Sequence, residues 1–306
     1  MTVENLEHYF TREFSVSDGI VRFPVEGDTT RTVTEFYDVA PFPNYRDTDD
    51  RSTILARGDR NFLSRQLKRF IGLNKSFVEV GSGTSQLSIY LAIGTNNRIF
   101  AMDPTLASLK LGKQFAEKNN IDNVTFVNAD LFEGVFRPEV FDVVWCSGVL
   151  HHTSDPAGGF DVICRHAKKG GIVIVGLYNW YGRLRTHIRR HLYRIFGRRY
   201  LMLFDPVLRN AGPDAQDKIN AWIRDQYIHP VESCHSFDEV LAWFDRNDIE
   251  FVNSIPSCEL KADADADLFR PSSRSTRYER IWQQILMIFS SLGGEGGLFI
   301  FIGRKR

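Results

Sequence analysis

The sequence predicts an α/β protein, with a mostly parallel sheet covered by helices on both faces and a helical cap over its rim. Three observations predict it. Short, almost continuously apolar runs recur at 76–80 (SFVEV), 98–102 (RIFAM), 124–128 (VTFVN), 141–146 (FDVVWC) and 171–177 (GIVIVGL), which is how strands buried on both faces read. Helix-like stretches separate them, clearest over 105–119, where Leu111 and Phe115 lie one turn apart; this alternation marks a parallel sheet. A glycine-rich turn, Gly81-Ser82-Gly83, follows the first run, at the strand end where open α/β sheets bind ligands.

In chain order, residues 13–27 (EFSVSDGIVRFPVEG) place a Ser-Asp-Gly turn between β-favouring residues and predict a hairpin. FYDVAPFPNYRDTDD (36–50) is rich in proline and aromatics, hence irregular. From Ser52 to Ile71 the apolar positions Ile54, Leu55, Phe62, Leu63, Leu67, Phe70 and Ile71 predict a helix, broken near Gly58. After Leu177 the rhythm gives way to roughly 70 residues of helix-like sequence, and strand-like runs return at 249–255 (IEFVNSI) and 297–303 (GGLFIFIG). The expected organisation is an N-terminal hairpin and lid segment over 1–51, then one domain over 52–306, with cap insertions at about 180–248 and 258–296.

The chain of 306 residues carries 38 basic and 38 acidic side chains, so no polyelectrolyte partner is held by bulk charge. Hydrophobic residues at 43% and charged residues at 25% suit a packed core, not disorder. Cys146, Cys164, Cys234 and Cys258 are scattered without C-x-x-C spacing and read as reduced thiols, with no metal site or disulfide framework. The leader MTVENLEHYFTREF lacks the apolar core of a signal peptide, and no apolar run reaches spanning length. A cytoplasmic protein without a membrane span is therefore expected.

The turn after the first strand reads Glu79-Val80-Gly81-Ser82-Gly83-Thr84-Ser85-Gln86. Two glycines one apart let a backbone approach a ligand closely. A dinucleotide fingerprint wants a third glycine where Gln86 stands, and an acid two residues before the first glycine would repel a pyrophosphate. Glu79 suits a ligand carrying positive charge. Asp103 ends the second strand 24 positions later, near the ~20-residue spacing at which an acid accepts ribose hydroxyls. Asp130 ends the third, where a carboxylate can accept from an adenine amino group. An adenosine with a cationic amino-acid tail, S-adenosylmethionine, satisfies all three acids.

These residues resemble the class I S-adenosylmethionine-dependent methyltransferases. The likeness rests on EVGSGTS, MDP at 102–104, NAD at 128–130, FDVVWCSGVLHHTSDP at 141–156 and KKGGIVIVGLYN at 168–179. It implies a Rossmann-like sheet whose last strand runs antiparallel, with Glu79, Gly81 and Gly83 cradling the methionine end, Asp103 the ribose and Asp130 the adenine. Ser82, Pro104, Leu131, Ser147 and Tyr45 are expected beside them. Ser85 stands where many members have a third glycine.

A methyl acceptor must be aligned and stripped of water, and a neutral oxygen or nitrogen must also lose its proton, for which histidine is the matched base. His151 and His152, in GVLHHTSDP just past the fourth strand, are the candidates; one of them is expected to anchor the loop through Asp155 or a backbone carbonyl. Tyr178 and Asn179, after the fifth strand, are placed for the substrate. Tyr227 and His229 lie in an ionisable stretch of the cap; His229, Glu232 and His235 are spaced three apart, but Pro230 disfavours a helix through His229, so no metal is assigned. Tyr37, Phe42 and Tyr45 could cover a sulfonium by cation–π attraction or simply plug the first helix onto the sheet.

From Trp180 to Tyr200 there are seven arginines and no acid, with Leu184, Ile188, Leu192 and Ile195 at helical spacing, an amphipathic basic helix. Its arginines either pair with acids such as Asp263, Asp265 and Asp267, or recognise an anionic substrate, Arg183 first, through their bidentate fork, or touch RNA or an anionic membrane surface. The helix around Ile281, Trp282, Ile285, Ile288 and Phe289 either completes the cap or makes a homodimer face. The expected function is methyl transfer from S-adenosylmethionine to an oxygen or nitrogen (or a sulfur or carbon) of a small-to-medium metabolite. The alternatives are an RNA methyltransferase using the arginine helix, disfavoured by the balanced charge, and a cofactor-binding regulatory protein without turnover.

Overall fold

The computed structural model describes residues 6–25, 27–38, 45–210, 216–228, 230–260, 267–289 and 296–306; Phe42, His229, Asp263 and Asp265 lie outside them. One nine-stranded sheet runs in the order β1-β2-β5-β4-β3-β6-β7-β9-β8. Its centre is the parallel set β3 (Ser76–Val80), β4 (Arg98–Asp103), β5 (Val124–Asn128), β6 (Phe141–Ser147) and β7 (Ala167–Tyr178). The last strand, β9 (Leu298–Lys305), slots between β7 and β8 (Ile249–Ile255) antiparallel to both. At the other edge the hairpin β1 (Ser15–Ser17) and β2 (Ile20–Arg22) joins the same sheet, because β2 pairs in parallel with β5.

Alternation builds two cores from one sheet. Along β9, Phe299 and Phe301 pack on one face and Leu298, Ile300 and Ile302 on the other. β4 repeats the pattern with Phe100 and Met102 against Ile99 and Ala101, as the two-residue side-chain period requires. On the face of Leu298 and Ile300 lie α3 (Phe62–Ile71), α4 (Gln86–Ala92) and α5 (Leu106–Lys118); on the other lie α6 (Pro156–His166) and α11 (Phe237–Arg246).

The stretch 51–71 is two helices, α2 (Arg51–Arg60) and α3, and the break falls at Asn61, whose side chain caps α3 through the Ser64 N–H. Gly58 sits inside α2 because the Tyr90 ring leaves no room there: a Cβ would stand 2.2 Å from Tyr90 Cδ2. Sequence patterning also missed α1 (Asp28–Asp38), whose apolar positions Val33, Phe36 and Tyr37 are only half-buried, a stripe too short to stand out from the proline- and aromatic-rich sequence it runs into.

The cap comprises α7 (Trp180–Phe196), α8 (Arg198–Phe204), α9 (Pro206–Arg209), α10 (Gln216–Ile223), a π-helical turn Arg224–Ile228 and, after β8, α12 (Arg277–Leu286). Leu201, Leu208, Ile219, Ile223 and Tyr227 give it a small core of its own.

Candidate active site

A cavity of about 550 Å³ opens at the carboxyl ends of the parallel strands. Glu79, Gly81, Ser82, Gly83, Asp103, Pro104, Asp130, Leu131 and Ser147 line it, together with Tyr37, His152 and Tyr178. The glycine turn is fixed by backbone geometry. Gly81 adopts φ +74°, and a Cβ there would lie 2.2 Å from Val149 Cγ2. The N–H groups of Gly81 and Ser82 both donate to the Met102 carbonyl, at 2.8 and 2.9 Å. Ser85 also takes a left-handed conformation, φ 63°, as it starts α4. Space for its side chain comes from α5, where Gly112 has no room for a Cβ: that atom would meet the Thr84 carbonyl at 2.6 Å and Ser85 Cβ at 3.2 Å.

The three acids sit in different environments. Glu79 is buried and accepts from the Ser88 N–H (3.0 Å) and hydroxyl (2.6 Å). Burial pushes its pKa up to about 8, and the charge of Asp103 adds to that push. Asp103 accepts from the Gly83 N–H (2.7 Å) and the Thr105 N–H (2.8 Å), so its carboxylate is oriented by both loops; burial still raises its pKa. Asp130 accepts from the Phe132 N–H (3.0 Å) and from the hydroxyl of Thr30 on α1 (2.5 Å).

These features fit a cationic adenosyl ligand. A buried acid held high by burial regains its charge beside a cation, and a turn that excludes a Cβ lets a ligand lie against the backbone. Glu79, Gly81 and Gly83 would hold the amino-acid end, Asp103 the ribose and Asp130 the adenine.

The two histidines divide. His152 lines the cavity, and its Nδ1 lies 2.6 Å from the Val231 carbonyl. A carbonyl only accepts, so Nδ1 carries the proton and the Nε2 of the neutral ring carries the lone pair. Burial lowers the His152 pKa to about 4, so the ring is neutral at pH 7. His151 is not at the cavity. It is fully buried, stacks on Tyr178 with centroids 3.9 Å apart, and its carbonyl accepts from the Ser233 N–H. Asp155 takes no part in anchoring the pair; it caps α6 through the Gly158 N–H.

Four other expected contacts are corrected. Tyr45 stays out of the cavity: it stacks on Phe115 and donates to the Thr84 carbonyl at 2.8 Å, bracing the glycine turn from behind. Asn179 is the buried N-cap of α7, accepting from the Tyr181 and Gly182 N–H groups while its amide donates to His235 O and Gln284 Oε1. Tyr227 donates to Asp205 inside the cap core. Arg183 is fully buried over the Tyr178 ring, 3.8 Å from its centroid, and its guanidinium is spent on Glu232 (2.5 Å) and Gln226 (2.6 Å).

The cap arginines pair differently from expectation. Asp267 lies 3.6 Å from Arg270, whereas Arg183 and Arg190 share Glu232. Burial would raise the Glu232 pKa, but the two guanidiniums outweigh it and hold it below the usual carboxylate range. His187, Glu232 and Cys234 could group ligand atoms within 4.8 Å. Two guanidiniums already on the carboxylate repel a cation, and burial keeps the Cys234 thiol protonated, its pKa pushed up to about 12. His235 turns to Glu239 (2.9 Å) and Ser233 (2.9 Å).

Several lining residues had no legible role in the sequence. Thr29, Thr30 and Val33 come from α1, Trp222 and Gln226 from the cap, and Leu298 and Ile300 from β9. Only Gly27-Asp28, a loop ending in an acid, hinted at the start of α1.

Known proteins share this frame. Residues 72–194 match a family model described as a methyltransferase domain. An uncharacterised protein of Synechococcus sp. is 22% identical across 73% of this chain and 59% of its own length. A ubiquinone biosynthesis O-methyltransferase of Nitrosomonas europaea is 27% identical across 43% of this chain and 53% of its own. A protein-lysine N-methyltransferase of Saccharomyces cerevisiae is 28% identical across 36% and 54%. The matches thus span little more than half the length of these relatives. Among solved structures, geranyl diphosphate C-methyltransferase from Streptomyces coelicolor, in complex with S-adenosyl-L-homocysteine, superposes with a TM-score of 0.51 at 14% identity, covering 92% of this chain and 100% of that one. That likeness speaks to the fold. With the family match over residues 72–194 and the architecture of the site, the chain contains a methyltransferase domain of the S-adenosylmethionine-dependent kind, with S-adenosylmethionine as the cofactor.

Proposed function

We propose that this protein moves a methyl group from S-adenosylmethionine to an oxygen or nitrogen of a small-to-medium metabolite bound in the same cavity, with His152 as the base. The cofactor supplies an electrophilic methyl on a sulfonium, so the chain's own work is to hold, desolvate and deprotonate the acceptor. The observation that carries the reading is the His152 geometry: a cavity-lining ring with Nδ1 fixed as donor to Val231 O, leaving the lone pair on Nε2.

Burial makes His152 a weak base, poorly matched to an alkyl alcohol, since proton transfer works best between groups of similar pKa. An acceptor whose proton is already loosened, a phenolic or enolic hydroxyl, suits it. Tyr37, Trp145, Tyr178 and Trp222 line the cavity and supply flat surfaces for an aromatic acceptor. The partial likeness to an O-methyltransferase supports this reading; the likeness to a protein-lysine enzyme is compatible with an amine acceptor instead.

Transfer of label from S-adenosylmethionine to phenols, alkyl alcohols and amines tests the reading. Labelled phenol ethers are expected, with kcat falling on the order of a hundredfold in His152→Ala, the usual worth of a general base. Methylation unchanged in a folded His152→Ala protein overturns the role of the base, and turnover of amines alone overturns the preference for a phenolic or enolic oxygen.

A further inference from the structure

Helix α7 is arranged inside out. From Trp180 to Phe204 the sequence holds seven arginines, two histidines and no acid. An amphipathic helix ordinarily turns its apolar stripe to the core. Here Gly182, Arg183 and Thr186 are the buried positions, and Arg190 reaches in to Glu232. The buried Glu232 carboxylate explains the inversion, because it needs paired donors and draws the Arg183 and Arg190 guanidiniums inward. Leu184, Ile188 and Ile195, at spacings of four and seven, therefore share the outward face and are 44%, 51% and 62% exposed. Trp180, Tyr181 and Phe196 are exposed beside them, and α8 adds Leu203 and Phe204. At 3.6 residues per turn, Arg185 and Arg189 flank this stripe on one side and Arg194 on the other; Arg198 and Arg199 follow, exposed, on α8. Helix α12, packed beside α7, turns Tyr278, Trp282 and Leu286 outward as well.

A contiguous apolar surface of this kind marks an interaction site. A second copy of the chain fits poorly, since a two-fold interface sets the same patch against itself and would press arginines against arginines without an acid between them. RNA would use the arginines but has no use for Leu184, Ile188, Ile195 and Leu203. An anionic bilayer uses both: apolar side chains enter the headgroup boundary while flanking arginines meet phosphates. No helix of the described residues is long and apolar enough to cross a membrane, and none is required for docking in the plane.

We propose that α7 and α8 dock this protein on the surface of an anionic phospholipid membrane. The surface begins at Trp180, two residues after the cavity-lining Tyr178, so docking holds the cavity beside the bilayer. The inference stands independently of the acceptor and the base.

Sedimentation of the full chain with vesicles of phosphatidylcholine, alone or mixed equally with phosphatidylglycerol, tests it. Binding to the mixed vesicles only, weakened by salt, is expected. At roughly 1 kcal/mol per basic residue near such a surface, Arg185→Gln/Arg194→Gln/Arg199→Gln should weaken binding on the order of a hundredfold. Ile195→Ser/Phe196→Ser should weaken it too while keeping its salt dependence, with far-UV circular dichroism unchanged in both variants. Absence of binding to the mixed vesicles, or equal binding to both kinds, overturns the proposal. So does a solution dimer that Ile195→Ser/Phe196→Ser dissociates, or binding of tRNA that the arginine variant abolishes while vesicles are ignored.

Discussion

At Glu79 the pKa and the ligand are one question. Burial holds the carboxyl near 8, above its unfolded value, so most of it is protonated at pH 7. A cation arriving beside it favours the charged form, so cofactor binding at pH 7 should release close to one proton and tighten as pH rises towards 8. Calorimetry in buffers of different ionisation enthalpy reads this directly; proton uptake would contradict it. His152 predicts the opposite kind of silence. With a pKa near 4, its base form is complete well below neutrality, so kcat should stay flat through the range where an ordinary histidine titrates. A rate that halves near pH 6.5 would point to another base. Gly81 predicts a structural failure: at φ +74°, with an added Cβ 2.2 Å from Val149 Cγ2, Gly81→Ala combines left-handed strain of about 1–2 kcal/mol with a clash, and should lower both the melting temperature and affinity for S-adenosylhomocysteine. Ser85→Gly, at φ 63°, should leave affinity intact and raise the melting temperature slightly.

Among elements, α1 is the one held by the site instead of by a core. It buries nothing; Thr30 ties it to Asp130, and Arg224 ties it to the cap by donating to the Phe36 carbonyl at 2.9 Å and lying 4.6 Å from the Phe36 ring. Arg224→Gln should therefore speed release of S-adenosylhomocysteine several-fold in stopped flow with little change in melting temperature; an unchanged release rate would show that α1 does not close the cavity. This element also marks the limit of sequence reading. The strands were legible because burial on both faces leaves an apolar run, and SFVEV and VTFVN match β3 and β5 residue for residue. A helix with only Val33, Phe36 and Tyr37 half-buried leaves a far fainter trace. Helix α7 was legible as a helix but not in orientation, because the residue that turns it, Glu232, is distant in sequence and meets Arg183 only in the fold.

For the whole molecule, the sheet order and the antiparallel last strand put the glycine turn and the β4 and β5 acids around one cavity, which their spacing anticipated. Side chains chosen for their type alone fared less well. Tyr45, Asn179, Tyr227 and Arg183 are polar residues near a strand end or in the cap, and each has its polar atoms committed to the protein itself. Chemistry at a residue becomes a site only where the backbone leaves its polar atoms facing space, and that requires the fold. The oriented Asp103 carboxylate is the central group, as the expected ribose acceptor. The direct measurement is the dissociation constant of S-adenosylhomocysteine for the native chain and Asp103→Ala by calorimetry. Loss of hydrogen bonds to a charged group, at about 1.5–3 kcal/mol, predicts weakening of roughly tenfold to a hundredfold; equal affinity in a folded variant would contradict the assignment of this cavity to the adenosyl cofactor.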